Sequence, residues 1–207
     1  MEYLSKKKIR PYREQFNEIV NKLKEKLGSG WSFQYYLVGS ARRNMVFDGN
    51  EGFDLDYHFK LNYWPAELSD EDIKREFRIK LDDIVPYYDL SYCEDSTHVL
   101  TTKYIEGTKI IYSYDIAIIK EEVKSQILKN EKDNSSNGPY HFVDIPNSSD
   151  FISRYKLVTG PDMWNDLRKN YKEKKESQII IRKDDRILSF SLFISSVNEI
   201  LQKYRKI

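Results

Sequence analysis

The apolar residues at the two ends of the chain repeat with a helical period. Between residues 9 and 27 they recur at spacings of three and four while charges fill the other faces, which predicts an amphipathic helix. Pro11 is expected in its first turn, where a missing N–H costs little, and Gly28 after its last turn. A similar repeat from Asp184 to Tyr204 predicts a final helix. The side chains expected to be buried on it are Ile187, Phe190, Leu192, Phe193, Val197, Ile200 and Leu201.

The middle of the chain has the patterns of β-strands. Residues 31–38 are aromatic and β-prone, which predicts a strand. Residues 53–61 alternate between apolar and polar side chains, as in a strand with one buried face. Residues 98–105 and 109–119 predict the two strands of a hairpin that turns at Gly107.

Helical patterns flank these predicted strands. Ser69 is a good N-cap for a helix that ends before Pro86, and residues 162–175 have the composition of a charged helix. Helices packed on a sheet of mixed strand directions define the α+β class. We therefore expect an α+β fold with a small mixed β-sheet flanked by helices and a short C-terminal helical region.

A polar run of turn-forming residues at 129–139 divides the chain. At 207 residues, the chain is long enough for one domain or a small pair. The expected division is a core at residues 1–128 and a short, mainly helical extension at residues 140–207 that packs on the core. A short strand is expected at residues 141–146.

Composition narrows the class of protein. The 34 Lys and Arg residues nearly balance the 33 Asp and Glu residues, which excludes a polycation that coats nucleic acid. Cys93 is the one cysteine, so an internal disulfide and an all-thiolate zinc site are excluded, and a reducing compartment is indicated. The basic N-terminus lacks the apolar stretch of a signal peptide, and no run has the length of a membrane span. These features predict a soluble cytoplasmic protein without a membrane partner.

Three aspartates are candidates for metal chemistry. Asp54 and Asp56 lie two residues apart on a predicted strand, so their carboxylates share a face. Such like charges are costly without a compensating cation, and Mg²⁺ prefers oxygen ligands that it shares with substrate phosphates. Asp115 lies in an apolar strand expected beside the first, where it would complete a two-metal site. The alternatives are a solvated face for the first two acids, a structural salt bridge for Asp115, and Asp89 as the third carboxylate.

Gly39 and Ser40 follow the predicted strand at residues 31–38 and are candidates for phosphate binding. A glycine lets the backbone approach a phosphate closely, and the serine hydroxyl and nearby N–H groups can bind phosphate oxygens. Arg42 and Arg43 add positive charge and a bidentate donor, in a short helical turn expected at residues 41–47. The alternatives are an N-cap role for Ser40 and solvated side chains for the two arginines.

Other polar residues are less informative. His58 shares the face of the two acids and is expected at the surface or beside a metal site rather than in it. His98 and His141 are expected to be structural, and Cys93 to be a small buried side chain. Each of two basic clusters is either solvated or contacts an anion. For Lys6–Arg10 that anion would be a polyanionic acceptor, and for Arg168–Lys172 it would be a triphosphate.

The run LVGSARRNMVFDGNEGFDLDYHF resembles the signature of the nucleotidyltransferase superfamily related to DNA polymerase β. That signature is an apolar strand, a Gly with Gly or Ser, a spacer, and Asp-apolar-Asp-apolar. The positions that fall on it are Gly39, Ser40, Asp54 and Asp56, and Asp115 matches the third acid of the family. The resemblance covers residues 35–60 and extends by topology to about residue 119. Nothing beyond residue 120 is diagnostic.

The resemblance implies transfer of a nucleoside monophosphate from an NTP, with ATP expected first, to an acceptor hydroxyl with release of pyrophosphate. It implies two Mg²⁺ ions, replaceable by Mn²⁺: Asp54 and Asp56 would hold both, and Asp115 the one that activates the hydroxyl. Gly39 and Ser40 would hold the triphosphate. The Gly-Ser form resembles the polymerase-like and second-messenger-synthase branches or the minimal nucleotidyltransferases. RNA, a protein, a small molecule and a second nucleotide remain open as acceptors.

The chain departs from the family pattern in its C-terminal part. Polymerase and synthase members carry a sizeable helical second domain, whereas residues 140–207 leave room for two or three helices. A long RNA-binding tract is therefore not expected. Two rival interpretations are a nucleotide-binding module without turnover and one half of a toxin–antitoxin pair that depends on a protein partner.

Overall fold

The computed structural model describes residues 1–48, 52–121, 125–130, 140–144, 149–178, 181 and 189–205. They belong to two compact units, Glu2–Ile145 and Met1 with Pro146–Ile207. Residues 131–139 of the predicted polar loop lie outside the described residues. So do residues 145–146 of the strand predicted at 141–146 and the first residues of the predicted final helix.

All nine strands of the described residues lie in the first unit. Those described are β1 (Glu2–Tyr3), β2 (Ser32–Leu37), β3 (Phe47–Asp48), β4 (Phe53–Tyr63), β5 (Glu94–Asp95), β6 (Leu100–Glu106), β7 (Lys109–Glu121), β8 (Ser125–Asn130) and β9 (Tyr140–Asp144). The helices of this unit are α1 (Lys6–Leu27), α2 (Gly39–Arg42) and α3 (Asp70–Asp82), with a 3₁₀ turn at Val85–Tyr88.

The main sheet has mixed strand directions. Five of its strands lie in the order β2-β4-β7-β6-β5. β8 pairs with β7 on one side and with β9 on the other. The two longest strands, β4 and β7, are parallel, while the other pairs in this sheet are antiparallel. β1 and β3 form a separate antiparallel pair. The predicted α+β class, the mixed sheet and the β6–β7 hairpin are confirmed.

The helix α1 begins earlier than its apolar pattern predicts. The Ser5 side chain accepts a hydrogen bond from the backbone N–H of Lys8 and caps the helix, so α1 starts at Lys6 rather than at residue 9. The prediction that Pro11 lies in the first turn is therefore wrong, because Pro11 lies one turn further in and cannot donate to the carbonyl of Lys7. The end at Gly28 is confirmed: its φ is 75° and its N–H donates to the carbonyl of Lys24.

The core of the first unit lies between α1 and one face of the sheet. Phe16 of α1 stacks on Tyr57 of β4 with ring centroids 3.8 Å apart and contacts Tyr114 of β7 at 4.8 Å. The predicted alternation of β4 is confirmed, since Leu55, Tyr57 and Phe59 are buried. The helix α3 is also confirmed, with Ser69 and Asp72 forming a capping box at its start.

The second unit is helical in its described part. It contains α4 (Ser149–Tyr155), α5 (Gly160–Gln178) and α6 (Ser189–Lys203). The buried side chains of α5 and α6 meet, as where the rings of Tyr171 and Phe193 lie 5.5 Å apart. Phe190 was expected to be buried, but this is wrong, because it lies in the first turn of α6 and is 48% exposed. No helix in the described ranges has the length and apolar character needed to cross a bilayer.

Candidate active site

The three predicted acids lie on one face of two adjacent strands. In the parallel pair β4–β7, Asp56 lies directly opposite Asp115, and Asp54 lies opposite Ser113. Since alternate residues of a strand share a face, all three carboxylates project from the same side of the sheet. Leu55, between the first two, is fully buried on the other side. The expectation that Asp115 lies beside the first acidic strand is confirmed.

Two hydroxyl groups contact the acids. The Ser113 hydroxyl donates to Oδ1 of Asp54, and the Thr101 hydroxyl donates to Oδ1 of Asp115 across 2.6 Å. Thr101 belongs to β6, where it lies opposite Asp115. Asp54 is exposed, whereas Asp56 and Asp115 are half-buried.

The two half-buried carboxylates have raised pKa values. Burial raises the pKa of Asp56 to about 6, the negative charges of Asp115 and Asp54 act in the same direction, and Arg43 opposes them. Burial also raises the pKa of Asp115, against the hydrogen bond from Thr101. Both groups would be stabilised in their charged form by a nearby cation. Perturbed pKa values of this kind are typical of functional sites.

Gly39 lies against the central carboxylate. Its φ is +60°, and a Cβ atom at this position would lie 1.9 Å from Oδ2 of Asp56. The backbone N–H of Val38 donates to the carbonyl of Asp56 across 2.8 Å, which holds the end of β2 beside β4. A side chain at position 39 would therefore displace Asp56.

The short helix α2 carries the other predicted phosphate-binding residues. It spans Gly39–Arg42, so the helical turn starts two residues before the predicted 41–47 and ends sooner. Val38 occupies the N-cap, which places Ser40 inside the helix rather than at its cap. Arg43 donates to the carbonyl of Gly39 across 2.9 Å, and its charge acts on Asp56. Arg42 instead lines an open cavity with Lys6, Arg13 and Tyr35, so the two arginines are not brought together.

Several solved structures have a similar fold. DncV from Vibrio cholerae, described as a cyclic AMP-GMP synthase and a prokaryotic cGAS homolog, matches with a TM-score of 0.60 and 14% identity over 83% of this chain and 46% of its own. CdnC from E. coli, solved with ATP, matches with a TM-score of 0.57 and 18% identity over 95% of this chain and 62% of its own.

The chain has the fold of these nucleotidyltransferases. CdnE from Elizabethkingia meningoseptica is a cyclic dinucleotide synthase solved with GTP and Apcpp. It matches with a TM-score of 0.51 and 14% identity, and the match covers 90% of this chain and 68% of its own. The chain spans about half the length of DncV. No model of a protein family and no curated protein matches the sequence.

Within this nucleotidyltransferase fold, the hydroxyls of Ser113 and Thr101 were not predicted as part of the site. A signal for Ser113 was available, because it lies two residues before Asp115 on a predicted strand and so shares its face. Thr101 could be found only from the register of β6 on β7.

The structure also places most of the remaining candidates from the sequence. His58 is half-buried on the acidic face, and burial lowers its pKa. Asp89 follows the 3₁₀ turn and is not on the strands that carry the acids. His98 is exposed, and the side chain of His141 lies outside the described part. Cys93 is buried, which raises the pKa of its thiol.

The two basic clusters lie on helices of different units. In the first cluster, Arg10 pairs with Glu14 at 2.7 Å on the exposed side of α1. In the second, the Asn170 amide donates to Glu199 across 2.9 Å, which ties α5 to α6. Lys172 lies 3.9 Å from Glu176 on the same helix. The contact of Arg10 agrees with the solvated alternative, whereas Asn170 has a structural contact that was not predicted.

The donor set fits a hard divalent cation by its chemistry. Three carboxylates project from neighbouring positions of one sheet face, two with raised pKa values. As the side chains stand, however, no three His, Cys, Asp or Glu groups among the described residues are close enough to share a metal ion. Asp54 and Asp115 are each turned to a hydroxyl, and each hydroxyl contacts a single oxygen of its carboxylate.

Proposed function

We propose that the chain is a Mg²⁺-dependent nucleotidyltransferase that moves a nucleoside monophosphate from an NTP to an acceptor hydroxyl and releases pyrophosphate. The observation that carries this proposal is the parallel β4–β7 register, which places Asp56 opposite Asp115 with Asp54 on the same face. The fold shared with nucleotide-using synthases supports it. A solvated strand face would not explain the close approach of Gly39 to Asp56.

The three acids are proposed to have different roles in metal binding and proton transfer. Asp54 and Asp56 would hold two divalent ions, and Asp115 would hold the one that activates the acceptor hydroxyl. When bound, these ions supply charge for the phosphates and lower the pKa of the acceptor hydroxyl. Asp115, whose pKa burial raises, accepts the hydroxyl proton. The acceptor oxygen forms a bond to the α-phosphorus, the bond from that phosphorus to the bridging oxygen breaks, and pyrophosphate leaves.

The segment after β2 is proposed to bind the triphosphate. Gly39 presents backbone without a side chain beside Asp56, Ser40 offers a hydroxyl, and the Arg43 charge acts on the same acid. Arg42 is proposed to contribute charge at longer range, since it lines the cavity beside α1. These residues orient the phosphates, which is the larger part of catalysis in phosphoryl transfer.

The substrates are proposed from the similar structures. CdnC was solved with ATP and CdnE with GTP, so NTPs are the proposed donors, with ATP tested first. DncV and CdnE make cyclic dinucleotides according to their descriptions, so the ribose hydroxyl of a second nucleotide is the first acceptor to test.

Nucleotide binding is tested by thermal unfolding with each of the four NTPs and Mg²⁺. We expect an NTP to raise the melting temperature of the wild type by several degrees, because a ligand at a hundredfold excess over Kd stabilises by about 2.7 kcal/mol. Asp54→Asn/Asp56→Asn should lose this increment. Glu67→Gln, which removes an exposed acid before α3, is the matched control and should keep it.

Three other outcomes distinguish the alternatives. Metal-dependent binding without release of pyrophosphate would identify a nucleotide-binding module without turnover. Activity that appears only with a co-purified protein would support the toxin–antitoxin interpretation. An equal increment in the wild type and the double variant would contradict the assignment of the acids.

A further inference from the structure

Each of the two outer carboxylates receives a hydrogen bond from a hydroxyl on the acidic face of the sheet. Thr101 donates to Oδ1 of Asp115 across 2.6 Å, and Ser113 donates to Oδ1 of Asp54. Both hydroxyls lie on strands rather than loops, so the sheet itself fixes where each donor stands.

In the register of β6, β7 and β4, these groups lie in two rows across the sheet. Thr101, Asp115 and Asp56 form one row across β6, β7 and β4, and Lys103, Ser113 and Asp54 form the next. Within each row, a side chain with a hydroxyl group is the direct neighbour of an acid. The pairing of the strands therefore places each hydroxyl beside its acid.

The central acid is held differently. A Cβ atom added at Gly39 would lie 1.9 Å from Oδ2 of Asp56, so the backbone of Gly39 lies against this carboxylate, and the charge of Arg43 acts on it. The central carboxylate is thus confined by backbone, whereas the outer two are oriented by hydroxyl groups.

We propose that Thr101 and Ser113 are positioning residues for Asp115 and Asp54; this inference rests on the proposed function. Each hydroxyl takes one oxygen of its carboxylate and leaves the other for a divalent cation. Outer hydrogen bonds that orient the ligands of a metal are worth about 10–100-fold in metal affinity or activity.

The two hydroxyls should differ in how strongly they affect metal binding. Asp115 is half-buried, so a lost donor would be poorly replaced by water. Asp54 is exposed, and water can take the place of the Ser113 hydroxyl. Thr101 is therefore the position at which the proposal is tested.

The chain offers a matched control beside the test position. Thr102 is the next residue of β6, is buried, and donates through its hydroxyl to the carbonyl of Ser91 on the other side of the sheet. Thr101→Val and Thr102→Val make the same chemical change one residue apart. Thr101→Ser removes only a methyl group and keeps the donor.

Mn²⁺ is the probe, and its binding to the purified wild type and the three variants is followed by the paramagnetic resonance signal of the free ion. We expect Thr101→Val to raise the Kd for Mn²⁺ about tenfold, and Thr101→Ser and Thr102→Val to stay within about twofold of the wild type. A fourth variant, Ser113→Ala, should have a smaller effect than Thr101→Val. Melting temperatures of the wild type and all four variants separate this loss from a loss of folding.

The outcomes separate the two proposals. If the wild type binds Mn²⁺ and Thr101→Val binds it equally well or more tightly, the positioning role is overturned while the proposed function stands. If the wild type binds no Mn²⁺ even with an NTP present, the proposed function and the positioning role are both overturned. Rescue by Thr101→Ser, together with loss in Thr101→Val, supports the role of the hydroxyl.

Discussion

The two faces of the β4–β7 pair belong to the same strands and differ in the surroundings of their side chains. One face carries Leu55, Tyr57 and Tyr114, all buried against α1. The other carries three acids, and burial together with neighbouring negative charges raises the pKa values of Asp56 and Asp115. The apolar face stabilises the fold, and it keeps the acids in a register that their repulsion would oppose. A change on the apolar face should therefore lower the free energy of unfolding, and a change on the acidic face should lower metal binding or activity.

The largest expected effect comes from placing a charge on the apolar face. Leu55→Lys would bury an unpaired ammonium group where Leu55 has no exposed surface, at a cost of about 3–5 kcal/mol or more. We expect this variant to unfold or aggregate, as followed by circular dichroism and by its soluble yield. Asp54→Lys, one residue away on the exposed side, should melt as a folded protein. A soluble Leu55→Lys with the wild-type melting temperature would mean that the two faces are not as different as described.

The next effect is a dependence of stability on pH that the acidic face imposes. The pKa of Asp56 is about 6 in the folded chain against an ordinary value of 3.8, so the folded state binds more protons between these values. Stability should therefore fall as the pH rises from about 4 to about 6, by about 3 kcal/mol for a shift of this size.

This dependence is isolated by comparing the wild type with Asp56→Asn in chemical denaturation at several pH values without metal. The free energy of unfolding of the wild type, relative to the variant, should decrease across this window and then level off. Added Mg²⁺ should reduce the decrease, because a cation favours the charged carboxylates. A relative stability that rises with pH would contradict the raised pKa.

The smallest effect on stability, with a large effect on chemistry, is expected from Gly39→Ala. The φ of +60° costs a residue with a side chain about 1–2 kcal/mol. The new Cβ would also displace the Asp56 carboxylate. The variant should fold and lose its NTP-dependent increment in melting temperature. Gly107→Ala is the control, since its φ is +61° and its Cβ would meet no atom within 4 Å. Equal losses in both variants would assign the effect to backbone strain alone.

Local patterns were sufficient to predict much of this fold. The alternation of Phe53 to Lys60 predicted both faces of β4, and the Ser69 cap predicted the start of α3. The same reasoning missed the start of α1, because Ser5 caps the helix ahead of its first buried residue. It also missed α4, whose seven residues are too few for a clear period.

The candidate site depends on strand pairing that no local pattern contains. Asp54 and Asp56 could be placed on one face from their spacing alone. That Asp115 lies opposite Asp56 follows from a parallel pairing between strands separated by α3 and a hairpin. The contact of Thr101 with Asp115 needs a second register, that of β6 on β7. The hairpin of β6 and β7 was predicted, but its register shifts between Tyr104 and Ile105, and the composition of the two strands does not indicate such a shift.

The central claim is that the acidic face transfers nucleotides, and its most direct test is release of pyrophosphate. Wild type, Asp56→Asn and the control Glu67→Gln would be assayed with the four NTPs and Mg²⁺, alongside their melting temperatures. The account predicts turnover by the wild type and the control, and a loss of at least about 10³-fold in Asp56→Asn with its folding intact. Turnover by Asp56→Asn at the wild-type rate would contradict it.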